Sequence, residues 1–86
     1  MGDTVRIEFV ESSFTEITGL TTGETYALQN VTNIEAFLQQ VPAQPGAKER
    51  GKVLLPFKSA TIIKEATAVW IRSKAGDGIA FYNELS

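Results

Sequence analysis

The sequence predicts an all-β domain, a small antiparallel β-sandwich or barrel of about six to eight short strands. Three observations lead there. Apolar and polar residues alternate with period two in several separate segments, the pattern of half-buried strands. The segments recur at spacings of about ten residues, with Gly, Asn, Ser and Pro between them, as in sandwiches and small barrels. Their apolar positions are rich in β-branched and aromatic side chains, which suit a pleated surface. The chain of 86 residues has room for one core, so residues 1–86 form a single domain.

In order along the chain, Thr4–Glu11 alternates cleanly, with Val5, Ile7 and Phe9 on one face. Ser12-Ser13 interrupts it, and Phe14–Ile17 fits a short second strand. Gly19 to Gly23 reads as a turn, with glycines free to take positive φ. Glu24–Asn30 is the next strand, Tyr26 and Leu28 facing inward. Ile34–Val41 has two readings. Thr32-Asn33-Ile34-Glu35 matches a helical capping box; as a strand, the segment places Ile34, Ala36 and Leu38 on one face and Phe37 and Val41 on the other. Pro42–Gly51, with two prolines and two glycines, is the longest loop, and long loops are common carriers of binding surfaces. Lys52–Phe57 and Ser59–Lys64 follow, Pro56 marking a strand edge or turn because it has no N–H to donate. Thr67–Ser73 and Ile79–Tyr82, joined by Lys74-Ala75-Gly76-Asp77-Gly78, read as a closing hairpin.

Composition excludes several kinds of chemistry. There is no cysteine and no histidine, so disulfides, thiolate–metal sites and nucleophiles activated by histidine are all ruled out. No glycine-rich phosphate loop occurs. Gly76-Asp77-Gly78 lacks the further acids of a calcium loop, and is read as a turn. The expectation is a protein that is not an enzyme and that carries no cofactor and no metal. Eight basic against ten acidic residues, with Glu49 interrupting the one basic run (Lys48–Lys52), argue against nucleic acid as a partner. No apolar stretch approaches the roughly 20 residues that cross a bilayer, and Met1-Gly2-Asp3-Thr4 does not resemble a signal peptide, so no membrane is expected and synthesis is placed in a cytoplasm.

A small domain without disulfide or metal gains stability by oligomerising or docking. The strand around Trp70 gives that idea a location, being apolar on both faces: Ala68 and Trp70 on one, Val69 and Ile71 on the other. Either a loop folds over the second face or another polypeptide covers it. Phe37 and Val41 pose the same question. The candidate partner-interface residues are therefore Val69, Ile71, Phe37 and Val41, Pro42 and Pro45 in the long loop, and Val5, Ile7 and Phe9 on a first strand with an open edge. Trp70 is read as core; as a sugar platform it would need Tyr26, Phe57 or Tyr82 beside it.

Two segments carry a resemblance. Gly23-Glu24-Thr25-Tyr26-Ala27-Leu28-Gln29-Asn30 and Val69-Trp70-Ile71-Arg72-Ser73, together with Lys52–Pro56 and the run on to Ala80, resemble a family of small β-sandwich proteins among the virion structural genes of tailed bacteriophages. The resemblance covers about residues 20–82. It favours a strand for residues 34–41. It implies a virion component that is not an enzyme: a capsid decoration or cement protein, or a tail or head–tail accessory. Its partners would be other virion proteins (the major capsid or a tail protein) and further copies of itself, a trimer being one such homo-oligomer. The protein would be made in the host cytoplasm and reside in the virion. The alternative is a receptor- or carbohydrate-binding module of a tail fibre.

Overall fold

The computed structural model describes residues 4–46, 49 and 51–85. Residues 47, 48 and 50 of the expected Pro42–Gly51 loop thus lie outside the described residues. Among those described there are eight strands: β1 (Val5–Phe9), β2 (Thr15–Ile17), β3 (Thr25–Asn30), β4 (Ala36–Val41), β5 (Lys52–Leu54), β6 (Ser59–Ile63), β7 (Ala68–Ser73) and β8 (Gly78–Leu85). They form two antiparallel sheets of four, ordered β1-β8-β3-β6 in the first and β2-β7-β4-β5 in the second. The fold is a small all-β sandwich.

Alternation decides which side of each strand is buried. From the first sheet, Ile7, Phe9, Tyr26, Leu28, Ala80 and Tyr82 point into the interior; from the second, Ile17, Ala36, Leu38, Leu54, Val69 and Ile71 meet them. Phe9 stands opposite Gly78 on β8, and a Cβ at position 78 would come within 2.3 Å of its ring. The missing side chain is what lets the ring lie over the strand.

The closing hairpin is not formed. β7 and β8 belong to different sheets, and Lys74–Asp77 is an arch that carries the chain across the core. A hairpin would set Val69 and Ile71 beside Ala80 and Tyr82 on one surface. Crossing over lets the two apolar rows face each other and bury one another. The same glycine-rich linker serves the arch: Gly76 takes φ 72°, Ala75 N donates to Ser73 Oγ at 3.2 Å, and Lys74 N donates to Glu35 O at 2.9 Å.

Residues 36–41 are strand. The capping box fails because the Thr32 hydroxyl is engaged elsewhere. It accepts from Ile79 N at 2.7 Å and donates to Ile79 O at 3.2 Å, acting as a further rung beside β8.

Two polar devices fasten the sheets. Asn30 is fully buried at the end of β3; its Nδ2 donates to Ile34 O (2.7 Å) and Leu54 O (3.3 Å), and its Oδ1 accepts from Thr32 N (2.9 Å). One side chain thus ties β3 of the first sheet to β5 of the second. At the opposite end of the core, Tyr26 and Tyr82 meet edge to face at 5.8 Å. Their hydroxyls hold the β2–β3 connection: Thr21 N donates to the Tyr26 oxygen at 2.7 Å, and Tyr82 donates to Thr18 O at 2.9 Å.

Two predictions follow from these fastenings. Asn30→Ala removes one buried and two part-buried hydrogen bonds to the backbone and is expected to destabilise by about 2–3 kcal/mol, read from urea unfolding; an unchanged midpoint would refute the role given to Asn30. Burial, with Tyr26 adding to it, raises the Tyr82 pKa above its ordinary value of 10.0. The folded state therefore holds this proton more tightly than the unfolded one, so the associated stability is complete below about pH 10 and is lost as pH climbs past it. Tyr82→Phe is expected to be about 1 kcal/mol less stable at neutral pH, with a flatter alkaline decline than the parent. Parallel alkaline curves for the two proteins would contradict this.

Candidate interaction site

The inward rows being occupied, recognition has to come from the outward faces, the connections and the edges. On the second sheet, strand register brings Arg72 of β7 beside Phe37 of β4, which in turn pairs with Val53 of β5. Phe14, just before β2, approaches from the other side. The Arg72 guanidinium lies 5.1 Å from the Phe37 ring centre and 5.5 Å from that of Phe14, between the two rings. Its Nη1 donates to Glu11 O (3.1 Å) and Ser73 O (3.0 Å), while its Nε is buried without a hydrogen-bond partner. Arg72 is 8% exposed, so this cation is a packing element of the outer face.

The chain also covers this face itself. Gln44 Nε2 donates to Phe14 O at 2.7 Å, Pro45 is buried, and Trp70 Nε1 donates to Val41 O at 3.0 Å. The start of the β4–β5 loop therefore folds back toward the strand that the sequence shows to be apolar on both sides. Of the two coverings expected for that strand, the loop is present within the chain.

The candidate interface residues accordingly fall in different environments. Val69, Ile71, Ile7 and Phe9 lie in the core between the sheets, Val69 and Ile71 on the inward side of β7 and Trp70 and Arg72 on its outward side. Phe37 faces outward but is buried against Arg72. Val41 is half-buried, Pro45 buried and Pro42 exposed. Val5 is exposed at the start of β1, which is an edge strand paired only with β8. The structure does not bring these residues together into one surface. Of the three aromatics that a sugar platform around Trp70 could use, Tyr26 and Tyr82 are interior and point away from the outward face of the second sheet, and Phe57 is exposed on the β5–β6 connection.

A site that sequence reasoning missed lies at the β5–β6 connection. Leu55, Pro56, Phe57 and Lys58 make a tight turn closed by Lys58 N donating to Leu55 O at 3.2 Å. Pro56 takes the position for which its ring is preset, and Phe57 follows at φ 56°. That position favours Gly or Asn, because a Cβ there is crowded by the backbone. Among the described residues Phe57 alone adopts a positive φ without being glycine, and it is 64% exposed. Leu55 (52%) and Val53 (44%) adjoin it in sequence, so an apolar, exposed edge runs from β5 into the turn. The signal was present as Leu-Pro-Phe-Lys, a type II turn pattern with an aromatic where Gly or Asn belongs.

Two clefts open among the described residues. An open cleft of about 270 Å³ lies by the β7–β8 arch, with Glu8, Thr32, Asp77 and Ile79 in its lining. A second of about 160 Å³, lined by Leu38, Gln40, Lys52, Ile62 and Val69, opens between the sheets beside the short β5. Gln40 bridges this side of the sandwich: its Nε2 donates to Ile63 O at 3.2 Å and its Oε1 accepts from Glu65 N. Among the described residues no group of three or more Asp or Glu side chains is placed to hold a metal ion, and no helix is long and apolar enough to cross a membrane.

Comparison with protein-family models, curated proteins and solved structures finds no match to this chain.

Ile71→Asp tests the assignment of inward and outward rows. Ile71 is 0% exposed. A carboxylate there is expected to abolish folding, read as loss of the β-sheet circular dichroism signal. A folded Ile71→Asp protein that had lost only its association with a partner would restore this residue to the interface.

Proposed function

We propose that this protein is a structural component of a bacteriophage particle that is not an enzyme, binding other virion proteins to stabilise the assembly. It acts there as capsid decoration or cement, or as a head–tail or tail accessory. Two kinds of support meet in this reading. The segments that resemble phage virion proteins fall on β3 and β7, which are interior strands of the two sheets, so the resemblance follows the frame of the fold. The single observation that carries the binding role is Phe57, a large aromatic held in a left-handed conformation and presented to solvent on a tight turn.

For an isolated folded chain that arrangement is unfavourable twice over: αL backbone at a non-glycine residue costs roughly 1–2 kcal/mol, and the ring gains nothing from burial. It becomes favourable when the turn enters an apolar pocket on another protein. Interface anchors are typically such aromatic side chains, buried on binding with apolar neighbours around them, here Leu55 and Val53. Lys58 beside the ring supplies a charge at the rim of the contact, where it guides orientation more than affinity.

Phe57→Asn separates binding from folding, because Asn tolerates the left-handed conformation and removes the ring. The variant is expected to match or exceed the parent in thermal stability and to lose about 2 kcal/mol or more of affinity for the assembled particle, measured by co-sedimentation. Unchanged co-sedimentation would count against this turn as the anchor. Failure of the parent protein itself to bind the particle would count against the virion role.

A further inference from the structure

The outward face of the first sheet differs from every other surface of the molecule in its charge. Ten side-chain positions of β8, β3 and β6 point outward there, and none is charged. In the whole chain 21% of residues are Asp, Glu, Lys or Arg, and solvated strand faces usually hold more than the average share, so this stretch departs from a solvated face. Its apolar members are Ile79, Phe81 and Leu85 on β8, Ala27 on β3 and Ile63 on β6; the others are Thr, Ser, Asn and Gln. Thr25 pairs with both Leu85 and Ile63, so two large apolar side chains, 44% and 60% exposed, flank a threonine in one row. Charge returns only at the β1 margin, where Arg6 and Glu8 face each other at 3.8 Å.

We propose that this face is a self-association surface, and that its occupant is a second copy of the same chain related by a two-fold axis. The absence of charge selects that occupant. In a two-fold interface each patch lies against itself, so a charge near the axis would meet its own like, and a face without charge is complementary to itself. A surface shaped for a different protein draws its orientation and specificity from complementary charge, and here there is none to use.

The β6 edge of the same sheet is defended against the competing arrangement. β6 is an edge strand bracketed by Lys58 and Lys64. Antiparallel pairing of two β6 strands centred on Thr61 would set Lys58 of one copy opposite Lys64 of the other, a like-charge pair that opposes edge joining. Sheet-on-sheet stacking places no such pair in contact, and aligned sheets pack at about 10 Å with their side chains interleaved. The surface is distinct from the Phe57 turn and leaves that turn free. It deepens the assembly reading, on which it rests for its biological sense, by naming how copies meet.

Sedimentation equilibrium of the purified full chain over a concentration series tests it. The parent is expected to show a monomer–dimer equilibrium. Ala27→Arg, which sets a charge at the middle of the face, is expected to sediment as a monomer with unchanged circular dichroism. Ile63→Lys, at a site already 60% exposed and safe for folding, is expected to weaken the dimer by about tenfold or more. Glu16→Lys, at an exposed position on β2 of the other sheet, is expected to leave it unchanged. A parent that stays monomeric up to ~100 µM would overturn the proposal, that affinity being too weak for a specific surface. So would a trimer, or a dimer that both face variants leave intact. Particle binding is scored separately: a dimer that fails to bind particles sustains this surface while removing the virion role, and a monomer that binds them does the reverse.

Discussion

The chain changes sheet at every connection except that between β4 and β5, and the rest of the structure depends on this crossing. Neither sheet is contiguous in sequence, so neither can form a stable unit ahead of the other. Their joint interior is the main apolar reservoir of the molecule, filled by one row from each strand face. The arches at the ends of the strands are consequently load points, and the buried polar groups gather there. Asn30 fastens one end, the Tyr26–Tyr82 pair the other, and Gln40 spans the side left open by the brevity of β5. A domain of this size, without a disulfide, spends its hydrogen-bonding side chains on holding two layers in register.

The outward faces are governed by the same economy and end up unlike each other. On the second sheet the surplus apolar side chains are enclosed from within, Phe14 and Phe37 around Arg72 and the loop start over Phe14. On the first sheet Phe81 and Ala27 are half-buried and Ile63 is exposed, and the outward positions of β8, β3 and β6 carry no charge. Between them, at the β5–β6 turn, Phe57 projects with its backbone in a conformation that aromatic residues seldom take. Two separate surfaces are thereby available on one small sandwich, the flat one proposed to meet a copy of the chain and the turn proposed to enter a pocket on a different protein.

Much of the fold was legible in the sequence, and the reasons are specific. The period-two pattern identified the strands and grouped Ile7 with Phe9 and Tyr26 with Leu28, because a strand has only two sides. It read Trp70 as core and offered Val69 and Ile71 to a partner, the reverse of the structure: both pairs are apolar, and the choice rests on what the opposite sheet presents. The β7–β8 linker misled for a related reason, since Gly-Asp-Gly permits a sharp reversal without specifying whether the returning strand pairs or crosses over. Thr32 offered a helix cap until its hydroxyl found Ile79, forty-seven residues away. The burial of Arg72 had no sign in the sequence, because it depends on Phe14 and Phe37, neither of them near it in the chain. The Phe57 turn was signalled at Pro56, but its strain and exposure belong to the folded backbone.

The position of β8 has a consequence for how the protein is made. Among the described residues β1 pairs with no strand but β8, and β3 reaches β1 only through it, so β1 stays without its partner until β8 has been made. While the nascent chain is emerging, Ile7 and Phe9 have no sheet to join, and the first layer closes in a single late step. Folding of this domain is thus timed by the synthesis of Gly78–Leu85, and a ribosome stalled before that segment would hold a chain with its first strand still unpaired.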